Sequence, residues 1–283
     1  MKTIIYFISI CFCLCFFACN NDIEPVDSTK YFPYGELYPE NLYYMNMPRP
    51  ADSYNYPVYP GMKEWAAFKT SDEMVEACQV PKEKLSKMST QALIQAIWEY
   101  PLKSEIFWAS GFTFLSSFEN VFLENYAYLE LIKRKDAGEA LFERLSLVNP
   151  LTPFPQLESK VLELVVLQDV FLSQLSDNKK VKIVEFAFTH DDIRENDPAW
   201  VNSSLTYLTR PVTWVLIGRA MVSAGYSPFI ETVNDNAELK FFLNGWQPDS
   251  YSVSGKTGYV YMEPQYSSIL QVIINFGESF IND

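Results

Sequence analysis

The chain has 283 residues, 16% of them aromatic, and its 35 acidic and 22 basic side chains give a formal charge of −13. A chain this acidic, with no compensating basic cluster, repels phosphate backbones, and nucleic acid is excluded as a partner. Ten glycines are few for this length, and no Gly-x-Gly-x-x-Gly or Gly-Lys-Ser loop is present to cradle a nucleotide, so no cofactor is expected.

The N-terminus reads as an export signal. Lys2 supplies the basic start, and Ile4 to Ala18 is apolar except for Ser9. That run matches a signal-peptide core and is too short to span a bilayer comfortably. It ends in Phe16-Phe17-Ala18-Cys19, which resembles the bacterial lipobox: cleavage between Ala18 and Cys19 leaves the cysteine as a lipid-bearing N-terminus. The expected anchorage is therefore a membrane, through lipid on Cys19. Loss of Lys2 takes the formal charge to −14. Asp22, Glu24 and Asp27 resemble the acidic tag of surface-directed lipoproteins, which favours the outer membrane with the leaflet left open. Cys11, Cys13 and Cys15 leave with the signal, so Cys78 has no disulfide partner and reads as a small buried hydrophobe.

Residues 19–30 are polar and read as a tether. Residues 31–61 form a strap dense in tyrosine and proline. Pro33, Pro39, Pro48, Pro50, Pro57 and Pro60 forbid continuous helix, and the rings are too many to leave in water. The strap is expected to lie along the following domain. The alternative is an exposed aromatic platform for sugar rings, with Tyr54, Tyr56 and Tyr59, or Trp200 and Trp246 further on, as candidate ligand contacts.

From Met62 to about residue 248 the periodicity is helical, and the expected class is mainly α, as stacked helical pairs of solenoid-like or irregular-bundle form. Thr70 with Glu73 makes a capping box. Ser89 caps the next helix, with Met88 and Leu93 at the staple positions, and Leu93, Ile94, Ile97 and Trp98 supply one face up to Pro101. Residues 113–134 read as one long helix or two stacked ones, and Asp136 begins another. Residues 156–173 are apolar nearly all round, which places them centrally, although Leu162–Leu167 fits a strand as well. A helix is expected over about 178–189, with His190-Asp191-Asp192 ending it and capping the next. Lys133-Arg134-Lys135 and Lys179-Lys180 sit near helix ends, where they complement the dipole. Pro211 is expected as a first helical residue, Gly225 as a stop, and Asp235 with Glu238 as a second capping box. Residues 249–283 are read as a short hairpin followed by an apolar tail that suits strand or helix.

Tyr56-Pro57-Val58-Tyr59-Pro60-Gly61, Lys87-Met88-Ser89-Thr90-Gln91-Ala92-Leu93, Tyr100-Pro101-Leu102 and Leu131-Ile132-Lys133-Arg134-Lys135-Asp136, in this order, resemble a family of secreted bacterial proteins built around a helical domain. The resemblance covers roughly residues 55–185. It implies an all-helical core and export, and it brings no activity or catalytic residue with it.

Searching for chemistry yields little. His190 is the sole histidine. Asp191, Asp192, Glu195 and Asp197 adjoin it, but neighbouring side chains diverge, and the stretch lacks the pattern of a calcium loop. No metal site is expected. No Gly-x-Ser-x-Gly elbow accompanies the histidine. A hydrolase with two facing carboxylates is a further alternative that sequence cannot test. The leading expectation is a non-enzymatic envelope lipoprotein that presents a surface to another protein, with glycan binding as the runner-up.

Overall fold

The computed structural model describes residues 49–103, 105–108, 114–148, 156–196, 204–245 and 264–283. The leader with Ala18 and Cys19, the tether, residues 31–48 of the strap, Trp200, Trp246 and the expected hairpin lie outside the described residues. Within them the protein is all helical. A 3-10 turn, Trp65–Ala67, is followed by α1 (Ser71–Ala77), α2 (Lys82–Leu85), α3 (Thr90–Trp98), α4 (Glu105–Trp108), α5 (Phe114–Phe122), α6 (Tyr126–Leu131), α7 (Ala137–Leu145), α8 (Gln156–Val166), α9 (Asp169–Leu172), α10 (Asp177–Glu195), α11 (Ser204–Ser223), α12 (Ser227–Asp235), α13 (Ala237–Leu243) and α14 (Pro264–Asn282).

A single apolar core runs from Tyr56 to Phe280. In the first half, α3 packs on α6, α7 and α8. In the second, α11 packs on α8, α10, α12, α13 and α14, and α8 joins the halves through α3 and α7. Repeats of a solenoid touch only their neighbours. Contacts of α8 with α11 and of α11 with α14 skip two intervening helices, so the architecture is an irregular bundle.

Helix α3 was expected to have one apolar face, but it is buried on nearly all sides, Gln95 and Ala96 included. A helix end buried this way must find partners for its orphan backbone groups. Ser89 Oγ accepts the Ala92 N–H at 3.1 Å. At the other end, the carbonyls of Gln95 and Ile97 accept the Glu99 and Tyr100 amides at 2.9 and 3.2 Å. Those of Ala96 and Trp98 accept the Tyr56 hydroxyl at 2.9 Å and the Lys103 ammonium at 2.7 Å. The strap thus supplies one cap of the helix it lies on.

Residues 114–131 take the two-helix form of the expected alternatives, because the buried Asn125 side chain accepts the Tyr128 N–H at 2.9 Å and starts α6. Several other boundaries differ from expectation. The apolar segment from 156 also divides: α8 ends at Val166, Gln168 begins α9, and Val170 is exposed. Leu162–Leu167 is therefore not a strand. Helix α10 continues through His190 and Asp191, which are interior residues rather than a stop and a cap. Pro211 lies inside α11. It removes one helical hydrogen bond, and burial of Val212, Val215 and Leu216 on the same turns offsets that loss. Asn236, not Asp235, caps α13, accepting the Leu239 N–H at 2.9 Å. The Thr70 hydroxyl does accept the Glu73 N–H, but the Glu73 carboxylate returns to the Lys69 N–H, one residue before the cap.

The apolar tail is helix α14, with Ile269, Leu270, Ile273 and Phe280 buried. Gly277 lets it approach α10: a Cβ there would lie 2.6 Å from the Phe188 ring. Gly225 stops α11 at φ 74°, with the Tyr226 N–H on the Met221 carbonyl at 3.1 Å and its own N–H on Val222 at 3.0 Å, the paired bonds of a Schellman cap. Lys180 lies in the first turn of α10, so it does not complement the end of its own helix. Its ammonium instead reaches the Ser223 carbonyl at 2.9 Å, at the C-terminus of α11.

Candidate functional site

Three candidate contacts on the strap fall among the described residues. Tyr56 and Tyr59 are 5% and 6% exposed, and Tyr54 is half-buried at their edge. The Tyr56 ring meets Tyr54 edge-on at 5.2 Å and Tyr59 at 6.2 Å, and lies 6.2 Å from Tyr100. Burial pushes its phenol well above the ordinary range, with Tyr100, Tyr59, Cys78 and Glu99 adding to the effect. Tyr54 is also raised by burial, and its ring carries the Lys84 ammonium 5.1 Å from its centroid.

Charges fasten the strap at both ends of α3. Asp52 accepts the Ser89 N–H at 2.6 Å and its hydroxyl at 3.0 Å. Arg49 forms a fork on Glu99, Nε to Oε1 at 3.0 Å and Nη2 to Oε2 at 2.8 Å. Such bidentate pairs are the strong class of charge-assisted hydrogen bond. Gln95 donates to the same carboxylate at 2.8 Å. Glu99 also acts on buried Arg144, pulling upward a guanidinium that burial lowers to about 10.

A second polar constellation was not anticipated. Lys160 and Glu163, three residues apart on α8, face Thr213 of α11 and Arg194 of α10 in the interior. The Lys160 ammonium donates to both Glu163 oxygens at 3.1 and 3.0 Å and touches the Thr213 hydroxyl. Thr213 donates to Glu163 Oε2 at 2.7 Å, and Arg194 Nη1 lies 3.4 Å from Oε1. Alongside, Arg210 holds Asp191 at 3.0 Å and also reaches Glu195. The His190 ring packs on Phe186 with centroids 4.1 Å apart.

The electrostatics follow from burial. Lys160 is wholly covered; burial and then Arg194 press it down to about 8, against the pull of Glu163 and Asp191. Burial raises the Glu163 carboxyl, but Lys160, Arg194 and the Thr213 hydrogen bond outweigh it and leave the group below its ordinary range. Burial, then Arg194, then Lys160 hold His190 at about 3, with Glu163 opposing.

A lysine of lowered pKa beside a hydroxyl has the parts of a base and nucleophile. Here the hydroxyl proton is committed to Glu163, and Thr213 is 1% exposed. The arrangement ties three helices together. One local signal pointed to it: an opposite-charge pair at i, i+3, Lys160 and Glu163, set against the apolar Val161, Leu162, Leu164, Val165 and Val166.

Glu105 and Glu124 border a shallow depression lined by Val75, Tyr100, Leu102 and Val121, with a cavity volume of only about 10 Å³, far below the usual small-molecule site of about 300–1,000 Å³. Cys78 is buried, and burial pushes its thiol up to about 12, the chemistry of an inert core residue. Among the described residues, no three His, Cys, Asp or Glu side chains are grouped to hold a metal ion, and no helix is long and apolar enough to cross a membrane. Comparison with protein families, curated proteins and solved structures finds no match to this chain.

Proposed function

We propose that this is a cell-envelope lipoprotein, held in the outer membrane by lipid on Cys19, whose helical domain is a non-enzymatic module for binding another protein. The observation that carries the reading is how the strap is used. Tyr56, Arg49 and Asp52 all engage α3, so the chain coming from Cys19 enters the domain through a fastened segment. A folded domain joined to a lipid anchor by a polar segment is suited to presenting a surface at a distance from a bilayer. The glycan alternative needs ring faces in water, and of its described candidates Tyr56 and Tyr59 are committed to the core. The charge of −14 for the processed chain opposes nucleic acid as a partner.

The test has two arms. Globomycin is expected to block removal of the leader, and Cys19→Ser to release the protein from sedimenting membranes; processing insensitive to globomycin together with unchanged sedimentation of the variant would remove the anchor. A pull-down from detergent-extracted envelopes is expected to recover a specific protein. Recovery of carbohydrate alone, lost on Tyr54→Ala, would favour the glycan reading.

A further inference from the structure

His190 is the one histidine of the chain, and it sits where a second charge is least welcome. It lies one turn before Arg194 on the buried face of α10, a spacing that places both side chains on one side of the helix. The residue is 6% exposed and its ring packs on Phe186 with centroids 4.1 Å apart. The charges acting on it are Arg194 of its own helix and Lys160 and Glu163 of α8, and Asp191, next to it in sequence, is held by Arg210 of α11. Helix α14 also packs on α10, and its acids Glu278 and Asp283 are exposed. Glu163, the carboxylate that acts on the ring, and the adjoining Asp191 are both engaged. Glu163 is shared by Lys160, Thr213 and Arg194, and Asp191 by Arg210.

We propose that His190 makes the seam of α8, α10 and α11 an acid-sensitive latch, closed while the ring is neutral and loosened when acidification drives a proton onto it between Lys160 and Arg194. The direction follows from linkage. Closed, the ring holds at about 3; opened to solvent it takes its ordinary value near 6.5. Below about 6.5 the open form binds a proton that the closed form refuses, so stability present above 6.5 is lost as pH falls toward 3. Between pH 7.5 and pH 5.0 the opening equilibrium rises about thirtyfold. Glu163 is held below its ordinary carboxylate value, so the stability it contributes is lost at more acid pH than that of His190.

The test uses the full chain in detergent micelles. With one histidine, its ring proton resonance needs no assignment, and it is expected to remain that of a neutral ring at pH 5.0. Hydrogen exchange corrected for intrinsic rate is expected to show protection in α8, α10 and α11 falling about thirtyfold from pH 7.5 to pH 5.0, with little change in α3, α6 and α7. His190→Gln abolishes that fall. A ring titrating near 6.5 in the folded chain, an equal fall in all helices, or a fall that persists in His190→Gln overturns the proposal. Should His190→Gln fail to fold, the ring titration in the unaltered chain decides by itself.

Discussion

Around α3, side chains from Ala92 to Trp98 are buried one after another, and the polar groups beside them are mostly partners for helix ends: Tyr56 on Ala96, Lys103 on Trp98, Ser89 on Ala92. Around α8 the burial is as deep, but Lys160 and Glu163 stand among Val161, Leu162, Leu164 and Val165. The first region joins its helices by hydrocarbon along α3, and its buried charges, Glu99 with Arg49 and Arg144, gather at the helix end. The second joins three helices by charge placed inside. Hydrocarbon contact tolerates loss of an atom in proportion to what is removed. A buried ion cluster does not, because removing one member leaves the others uncompensated.

The contrast is broken or sharpened most strongly at Glu163. Glu163→Ala leaves Lys160 and Arg194 buried without their shared carboxylate, and is expected to cost about 3–5 kcal/mol in urea denaturation. Replacing the pair together, Lys160→Met with Glu163→Leu, is expected to recover the part of that loss that comes from Lys160, Arg194 still lacking the carboxylate. If the single and double variants are equally damaged, the cluster acts by packing and the distinction between the regions falls. Next is Gly277→Ala. Its new methyl meets Phe188 at the contact of α14 with α10, and overpacking of this kind costs about 1–3 kcal/mol; thermal denaturation with no change in midpoint would mean that the ring moves aside freely. The smallest effect is expected from Tyr56→Phe, which deletes only the hydroxyl on the Ala96 carbonyl, about 1 kcal/mol. That loss should be the same at pH 7.5 and pH 5.0, whereas a pH-dependent loss would tie α3 to the acid-sensitive seam.

Helix α3 was legible because its signals are local. Ser89, the Met88 and Leu93 pair and Pro101 all lie within a turn or so of the ends they mark. The burial of Val161–Leu167 was legible for the same reason, its apolar run being interrupted only by Glu163. Asn125 misled because its position in the helical period resembles that of a buried face, and only the direction of its side chain makes it a cap. His190-Asp191-Asp192 misled in the opposite sense. Polar residues at that spacing read as a helix end, yet partners from α8 and α11 carry the helix through them. Tyr54, Tyr56 and Tyr59 were recognised as important rings, but a run of tyrosines reads alike whether it faces a sugar or the underside of its own strap.

What the amino-acid order determined by itself is the helical class and the positions of most helices, because each rests on periodicity, capping residues or composition within a short stretch of chain. Only the tertiary structure decided that Lys160, Glu163, Arg194 and Thr213 meet. They come from three helices as much as fifty-three residues apart, and a charge can remain in the interior only where distant parts of the chain bring its partners to it.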